Sequence, residues 1–397
     1  MFLFKNQLYL NLIALISFLA SLLINRNRRF HPTGVKRILI VRPDRLGDLI
    51  VSLPVVDLII EYFPKAEVTL AISSRWLSLL TDEWRYKLIT YGSYEHGPRT
   101  LSLQQMKSCF HKVWQWRGKY DLILDLRGDL ATVFLSPFLK LKYRVDWGTV
   151  RCEEKMKRWF FRNREKSLAS GEGASIEKKG EGFFEKFRYY SYTLHWDKPY
   201  ADTILGTLRY LDVQPVKRAP HVYINELRVS QARESLITQG WNGQPFVWLH
   251  PGSGTVARPG SSPHEKLWPV NYFIRLAASL CDRGYMTFFL LDPSEGTDLK
   301  MALQNEKTLC TNDLATVAAY LCLGDLFIGH DTGTTHLAAA VGCPTFSLFG
   351  PTNPYYFVPR GKTHHFIIAP NKQMSRLQVE SVLKKALEIL PPFKEGA

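Results

Sequence analysis

Several absences narrow the possibilities before any motif is considered. None of the six cysteines (Cys109, Cys152, Cys281, Cys310, Cys322, Cys343) stands in a C-x-x-C pair, so the spacing encodes neither a zinc ribbon nor a dithiol redox site. A chain of 397 residues needs no disulfide staples, and the cysteines read as reduced, cytosolic and mostly core-filling. No D-x-D acid pair closes a predicted strand to hold Mg²⁺, and no metal site is expected. Acid is in deficit: 36 Asp and Glu stand against 51 Lys and Arg, for a formal net charge of +15. Such an excess implies an anionic partner. No nucleic-acid signature accompanies the basic residues, which leaves anionic lipid or an anionic substrate ahead of nucleic acid.

Long apolar runs are also scarce. The one of note is Leu8 to Ile24. At ~1.5 Å rise per residue it lies near the short limit for spanning a bilayer. Arg26, Arg28 and Arg29 follow it against a single Lys5 before it, so the positive-inside rule puts the bulk of the chain in the cytoplasm. A membrane anchor is preferred here to a helix packed on the protein. It is also preferred to a cleaved signal peptide, because no A-x-A site follows and the arginines sit on the wrong side.

The most informative stretch is late, LGDLFIGHDTGTTHLAAAVGCPTFSLFGPTNP from Leu323 to Pro354. It reads as strand, polar turn, helix, strand and Gly-Pro turn. Asp331, Thr332, Gly333, Thr334, Thr335 and His336 crowd one turn at a strand end, where a fold needs only one capping side chain. In an open α/β sheet ligands bind at the carboxyl ends of strands, and a helix N-terminus there suits a phosphate.

Two earlier stretches repeat the pattern. Arg37 to Arg42 reads as a buried strand followed by Pro43-Asp44-Arg45-Leu46-Gly47-Asp48, and helical spacing runs from Leu49 to Phe63 with Pro54 expected to kink its first turns. Asp48 is then either a helix cap or a general base facing a cleft. Tyr120 to Leu126 is a further strand, with Arg127 at its end. Phe246 to Leu249 opens a second unit. The turn at Gly252, Ser253 and Gly254 permits close approach of a phosphate, and Lys266 offers a point charge. Glu295, after the strand Met286 to Leu291, is either a ribose-binding acid or a plain first-turn carboxylate. Lys140 to Trp196, rich in Lys, Arg, Glu, Gly and aromatics, reads as an insertion, either solvated or meeting anionic headgroups.

Three blocks, RILIVRPDRLGDLIVSLP, LHPGS…KLWP and the late block above, together resemble glycosyltransferase family 9, the heptosyltransferase family of lipopolysaccharide core assembly. The resemblance covers the chain from about Lys36 to the C-terminal helix, apart from Lys140 to Trp196. It implies a GT-B fold: two Rossmann-like doubly wound domains facing across a cleft, with the C-terminal helix crossing back to the first. It also implies an inverting, metal-independent transfer from a nucleotide sugar, typically ADP-heptose, to a lipid-linked acceptor. No cofactor is implied beyond the donor itself. By position Asp48 matches the catalytic base, and Lys266 matches the lysine that meets the donor diphosphate. Asp331, Thr332, Gly333, Thr334 and His336 match the donor loop and helix, and Glu295 the ribose acid. Arg45 and Arg127 are acceptor-side candidates. The lengthened loop Ala257 to Glu265 and the Thr334-Thr335 pair depart from the family's usual pattern.

The expected organisation is an apolar segment at 1–30, an acceptor-side domain at 31–212 with the insertion at 140–196, a nucleotide-sugar domain at 213–374, and a C-terminal helix and tail at 375–397. The expected location is the cytoplasmic face of the inner membrane. Two alternatives stay open: a non-catalytic nucleotide-sugar-binding or scaffold protein on this fold, and a sugar-nucleotide epimerase.

Overall fold

The computed structural model describes residues 32–81, 83, 85–91, 103–127, 132, 135–146, 199–252, 266–361 and 363–392. The apolar segment Leu8 to Ile24, Ser253 and most of the stretch 140–196 lie outside them. Among the described residues no helix is long and apolar enough to cross a membrane.

The first half alternates strand and helix. In order it contains β1 (Arg37–Val41), α1 (Leu46–Tyr62), β2 (Glu67–Ile72), α2 (Leu77–Leu80), β3 (Lys87–Thr90), α3 (Leu103–Trp114), β4 (Leu122–Asp125) and β5 (Tyr143–Asp146). Its sheet runs β3-β2-β1-β4-β5, and every pairing is parallel. The period-two alternation of a strand explains why β1 is apolar at each of its inner positions. Ile38 and Ile40 join the cluster on the α1 side. Leu39 and Val41 join Cys109, Val113 and Trp116 on the α3 side.

The chain then passes through α4 (Tyr200–Leu205) and a 3-10 turn, Gly206–Leu211, into a segment without regular structure before α5 (Glu226–Thr238). The second half continues with β6 (Phe246–His250), α6 (Val270–Cys281), β7 (Met286–Leu291), α7 (Thr297–Ala302), β8 (Thr308–Cys310) and α8 (Leu314–Leu321). It ends with β9 (Leu326–His330), α9 (Gly333–Ala340), β10 (Thr345–Phe349), α10 (Pro354–Phe357), β11 (His364–Ile368) and α11 (Val379–Ile389). The second sheet runs β11-β10-β9-β6-β7-β8, again all parallel. Phe246 and Trp248 point into the cluster that also holds the α1 core. Val247 and Leu249 point the other way, towards Phe273 and Val382. One apolar cluster therefore spans both halves, and the seam between them is buried rather than wet.

Several sequence expectations need correction. α1 starts three residues earlier than its spacing suggests and runs unbroken through Pro54; its apolar burial from Leu46 to Ile59 outweighs the one hydrogen bond that a proline removes. β5 lies at the head of the stretch read as an insertion, yet pairs with β4 as the edge of the first sheet. The C-terminal helix α11 does not cross back to the first half. Val379, Val382 and Ala386 pack in the second-half cluster, and Glu380 meets Arg275 of α6 at 3.0 Å. The helix that ties the halves is α4, which packs on α1 while its Asp202 pairs with Arg360 of the second half.

Candidate functional site

Each sheet reverses its strand order at one point, between β1 and β4 in the first and between β6 and β9 in the second. Outside the carboxyl ends of the strands flanking such a reversal lies the crevice where doubly wound folds bind ligands. The residues singled out above fall at these two places: Asp48 after β1, Arg127 after β4, Gly252 after β6 and Asp331 after β9.

The two crevices meet. α1 and α9 pack against each other through their first turns. A Cβ on Gly333 would lie 2.9 Å from Leu46 Cβ and 3.1 Å from the backbone nitrogen of Gly47. A Cβ on Gly47 would lie 3.1 Å from His336 Cδ2. Close approach, rather than a left-handed backbone, thus requires the glycine at 333 and leaves a side chain at 47 only if His336 gives way.

Asp48 stands in the first turn of α1, where Arg45 is the N-cap and no side chain caps the helix. Its carboxylate is thus not consumed as a cap. Behind it lies Arg42, 1% exposed. The Arg42 guanidinium donates from Nε to the Asp48 carbonyl at 3.1 Å, from Nη1 to the Leu126 carbonyl at 2.5 Å, and from Nη2 to the Tyr200 hydroxyl at 2.6 Å. It also lies 3.6 Å from Asp48 Oδ1 and 3.4 Å from Asp44 Oδ1. Burial pulls the guanidinium pKa down, but Asp44, Tyr200 and Asp48 outweigh it and the net direction is up. Burial pushes Asp44 up, against the opposing pull of Arg42 and Arg127. Arg127 is thus near enough to Asp44 to act on it electrostatically. Nothing in the sequence marks Arg42 and Tyr200 as a pair, because an arginine just after a strand and a tyrosine 158 positions later share no local pattern.

On the other side, α9 presents an open N-terminus. Thr332 is its N-cap without a side-chain capping bond; its hydroxyl sits 3.3 Å from that of Thr335, and Thr335 donates to the His330 carbonyl. The first-turn N–H groups, at Gly333 and Thr334, are left for an anion. Asp331 accepts a hydrogen bond from Thr352, and burial pushes its pKa up to about 6, with Lys266 and Arg45 opposing and Asp48 adding to the rise. These four side chains therefore share one electrostatic neighbourhood, drawn from both halves. Lys266 is exposed at its turn. His336 lies against Gly47 and is held neutral, its pKa lowered to about 4 by burial, so it lines the seam instead of supplying charge.

His330 secures the ends of the loop that precedes Lys266. Its Nε2 accepts from the Trp268 backbone N–H at 2.8 Å, which leaves Nδ1–H to donate to the Gly252 carbonyl at 3.2 Å. Glu295 lies over Gly252: a Cβ there would fall 1.4 Å from Glu295 Oε1, while Oε2 accepts from the Asp292 backbone N–H at 3.1 Å. It closes its own turn and sits at the reversal point as well. Neighbouring His250, 4.0 Å away, is kept neutral by burial and by His330, at about pKa 3. Among the described residues no three His, Cys, Asp or Glu converge as a metal site.

The raised Asp331 has a measurable consequence. Between about pH 4 and 6 the folded chain holds a proton that the unfolded chain releases, so this group's contribution to stability falls as pH rises through that window. Asp331→Asn should therefore raise Tm at neutral pH, by an amount equivalent to about 1–3 kcal/mol. The variant and parent curves should converge below about pH 4. Thermal unfolding across pH checks this, and equal melting temperatures at neutral pH would refute the buried-charge picture.

Comparisons with known proteins bear on the family and the fold. The family model described as glycosyltransferase family 9 (heptosyltransferase) matches residues 111–387. Lipooligosaccharide heptosyltransferase 2 of Haemophilus influenzae is 23% identical over 336 residues, covering 81% of this chain and 85% of its own length. Lipopolysaccharide heptosyltransferase 1 of Salmonella typhimurium is 22% identical over 359 residues, covering 88% and 99%. Among solved structures, a family 9 glycosyl transferase from Veillonella parvula superposes with a TM-score of 0.68 at 20% identity, covering 89% of this chain and 97% of that one. The E. coli heptosyltransferase WaaC with ADP gives 0.61 at 16%, covering 89% and 99%. The match to the family model extends over more than half of the sequence, so the chain belongs to glycosyltransferase family 9, the heptosyltransferases, and is a glycosyltransferase.

Proposed function

We propose that this enzyme transfers heptose from ADP-heptose, with inversion and without a metal ion, onto a lipid-linked anionic saccharide such as the lipopolysaccharide core. Asp48 acts as general base. An acceptor hydroxyl is a weak nucleophile, and a carboxylate beside it takes the proton as the glycosidic bond forms. The leaving ADP gathers negative charge on its diphosphate. The open N-terminus of α9, with Thr332, Gly333 and Thr334, stabilises that charge together with Lys266 and the turn at Gly252 and Ser253. Glu295 meets the ribose hydroxyls, and Asp331, poised near neutrality, accepts from hydroxyls of the donor sugar. Arg45 and Arg127 lie on the acceptor side, where an anionic saccharide meets fixed positive charge.

The observation that carries this reading is the abutment of α1 and α9, which brings an uncapped carboxylate from one half to an uncapped helix N-terminus from the other. The relatives support the substrate class: the E. coli protein was solved with ADP and with ADP-2-deoxy-2-fluoro heptose. The net charge of +15 and the apolar run near the start favour work at the cytoplasmic face of the inner membrane. A panel of nucleotide sugars scored by thermal shift tests the donor. ADP-heptose at about 100 times its Kd should stabilise by roughly 2.7 kcal/mol, and UDP-sugars should do markedly less. Preferential stabilisation by a UDP-sugar would reject the assignment.

A further inference from the structure

We infer that Arg42 is a positioning residue for the transfer reaction: its buried guanidinium, held by Leu126 and Tyr200, fixes Asp48 in place, and Tyr200 links that hold to the donor-side half. The inference rests on the reading of Asp48 as the base.

A fully buried arginine at the end of an otherwise apolar strand demands a reason. Burying a cation costs free energy, and a well-packed apolar side chain in its place is often as stable or more so. Structural need alone would favour an aliphatic residue to continue Ile38, Leu39, Ile40 and Val41. What an arginine offers is a planar fork with donors in fixed directions. Here three directions are used at once. Nη1 binds the Leu126 carbonyl at the end of β4. Nη2 binds the Tyr200 hydroxyl of α4. Nε binds the Asp48 carbonyl, and Nη2 also stands 3.6 Å from the Asp48 carboxylate. Two anchors on one side thus set the position of the residue on the other.

The second anchor reaches across the seam. The Tyr200 ring lies 5.7 Å from that of Tyr356 and 6.4 Å from that of Phe357, both in α10. That helix starts two residues after Thr352, the partner of Asp331. Tyr200 is partly buried against the apolar cluster, and Arg42 also lies over its ring at 5.9 Å.

The test uses the full chain with ADP-heptose as donor and a heptose-lacking lipopolysaccharide as acceptor. Arg42→Met keeps an unbranched apolar stem and removes the fork, and Arg42→Lys keeps charge without the fork. Tyr200→Phe removes only the hydroxyl anchor. The expected result is a fall in kcat of about 10–100-fold for Arg42→Met, with donor KM within about twofold, and a smaller fall for Arg42→Lys and for Tyr200→Phe. In an Asp48→Asn background, Arg42→Met should cost nothing further on the residual rate, because a residue acting through Asp48 has nothing left to position. A merely structural role would lower the rate equally in both backgrounds and overturn the inference. If Arg42→Met does not fold, Tyr200→Phe carries the same comparison, and an unchanged kcat there overturns it too. Failure of the base assignment shows separately, as turnover retained by Asp48→Asn alone, and that result overturns both.

Discussion

Asp48→Asn should lower kcat by about 10³-fold while leaving donor affinity within a small factor of the parent's. Asparagine matches aspartate in shape and keeps its place in the first turn of α1. It cannot take a proton from the acceptor hydroxyl. A factor of that size corresponds to roughly 4 kcal/mol of transition-state stabilisation, which is within what one positioned general base supplies. In the proposed mechanism the donor is held by the opposite half, at the N-terminus of α9, so the thermal shift produced by ADP-heptose should survive the substitution. Measured together, the two readouts separate loss of chemistry from loss of binding. A variant with parental kcat would remove Asp48 from the mechanism, whatever its place in the crevice.

The second large effect should come from one methyl group. Gly333→Ala places a carbon 2.9 Å from Leu46 Cβ and 3.1 Å from the backbone nitrogen of Gly47. The neighbours include backbone on a buried helix, so they cannot rotate away, and the two halves must separate by a few tenths of an ångström. Misplacement approaching 1 Å between reacting groups costs on the order of 10²-fold in rate, and overpacking costs about 1–3 kcal/mol in stability. We expect kcat/KM to fall by about 10–100-fold. Gly47→Ala meets a side-chain atom at 3.1 Å, His336 Cδ2, and should do less harm. The ranking of the two variants is the check. Parental kcat/KM for Gly333→Ala would mean that this seam does not set the distance between base and diphosphate cradle.

Much of this was legible in the residues, and the reasons for the rest are physical. The second strand of the late block is β10, Thr345–Phe349, legible because a short run dominated by Phe and Leu is bounded by a proline and a glycine. Asp331 stands out as the acid directly after an apolar run, and Asp48 as an acid in the polar turn that follows another. β5 was missed because an edge strand of four residues, Tyr-Arg-Val-Asp, alternates too briefly to stand out from charged surroundings. The path of α11 was misjudged because an amphipathic helix announces its apolar face but not which neighbour it meets. Arg42 was passed over for a related reason. Its partners Leu126 and Tyr200 lie 84 and 158 positions away, and only the β1–β4 pairing and the packing of α4 on α1 bring them together. Lys266 was found from its place before a helix, but the clamp that secures its loop, His330 between Gly252 and Trp268, exists only once β6 and β9 lie side by side.

The meeting of Gly47 and Gly333 has a geometric consequence for any rocking of one half on the other. In a packed seam the tightest contact moves least, and displacement grows with distance from it. Asp48 adjoins that contact on one side and the N-terminus of α9 on the other, so a rocking that displaced the far edges of the two sheets would leave these two groups nearly still. In the proposed mechanism, proton acceptor and diphosphate cradle would then stay in register while a substrate enters.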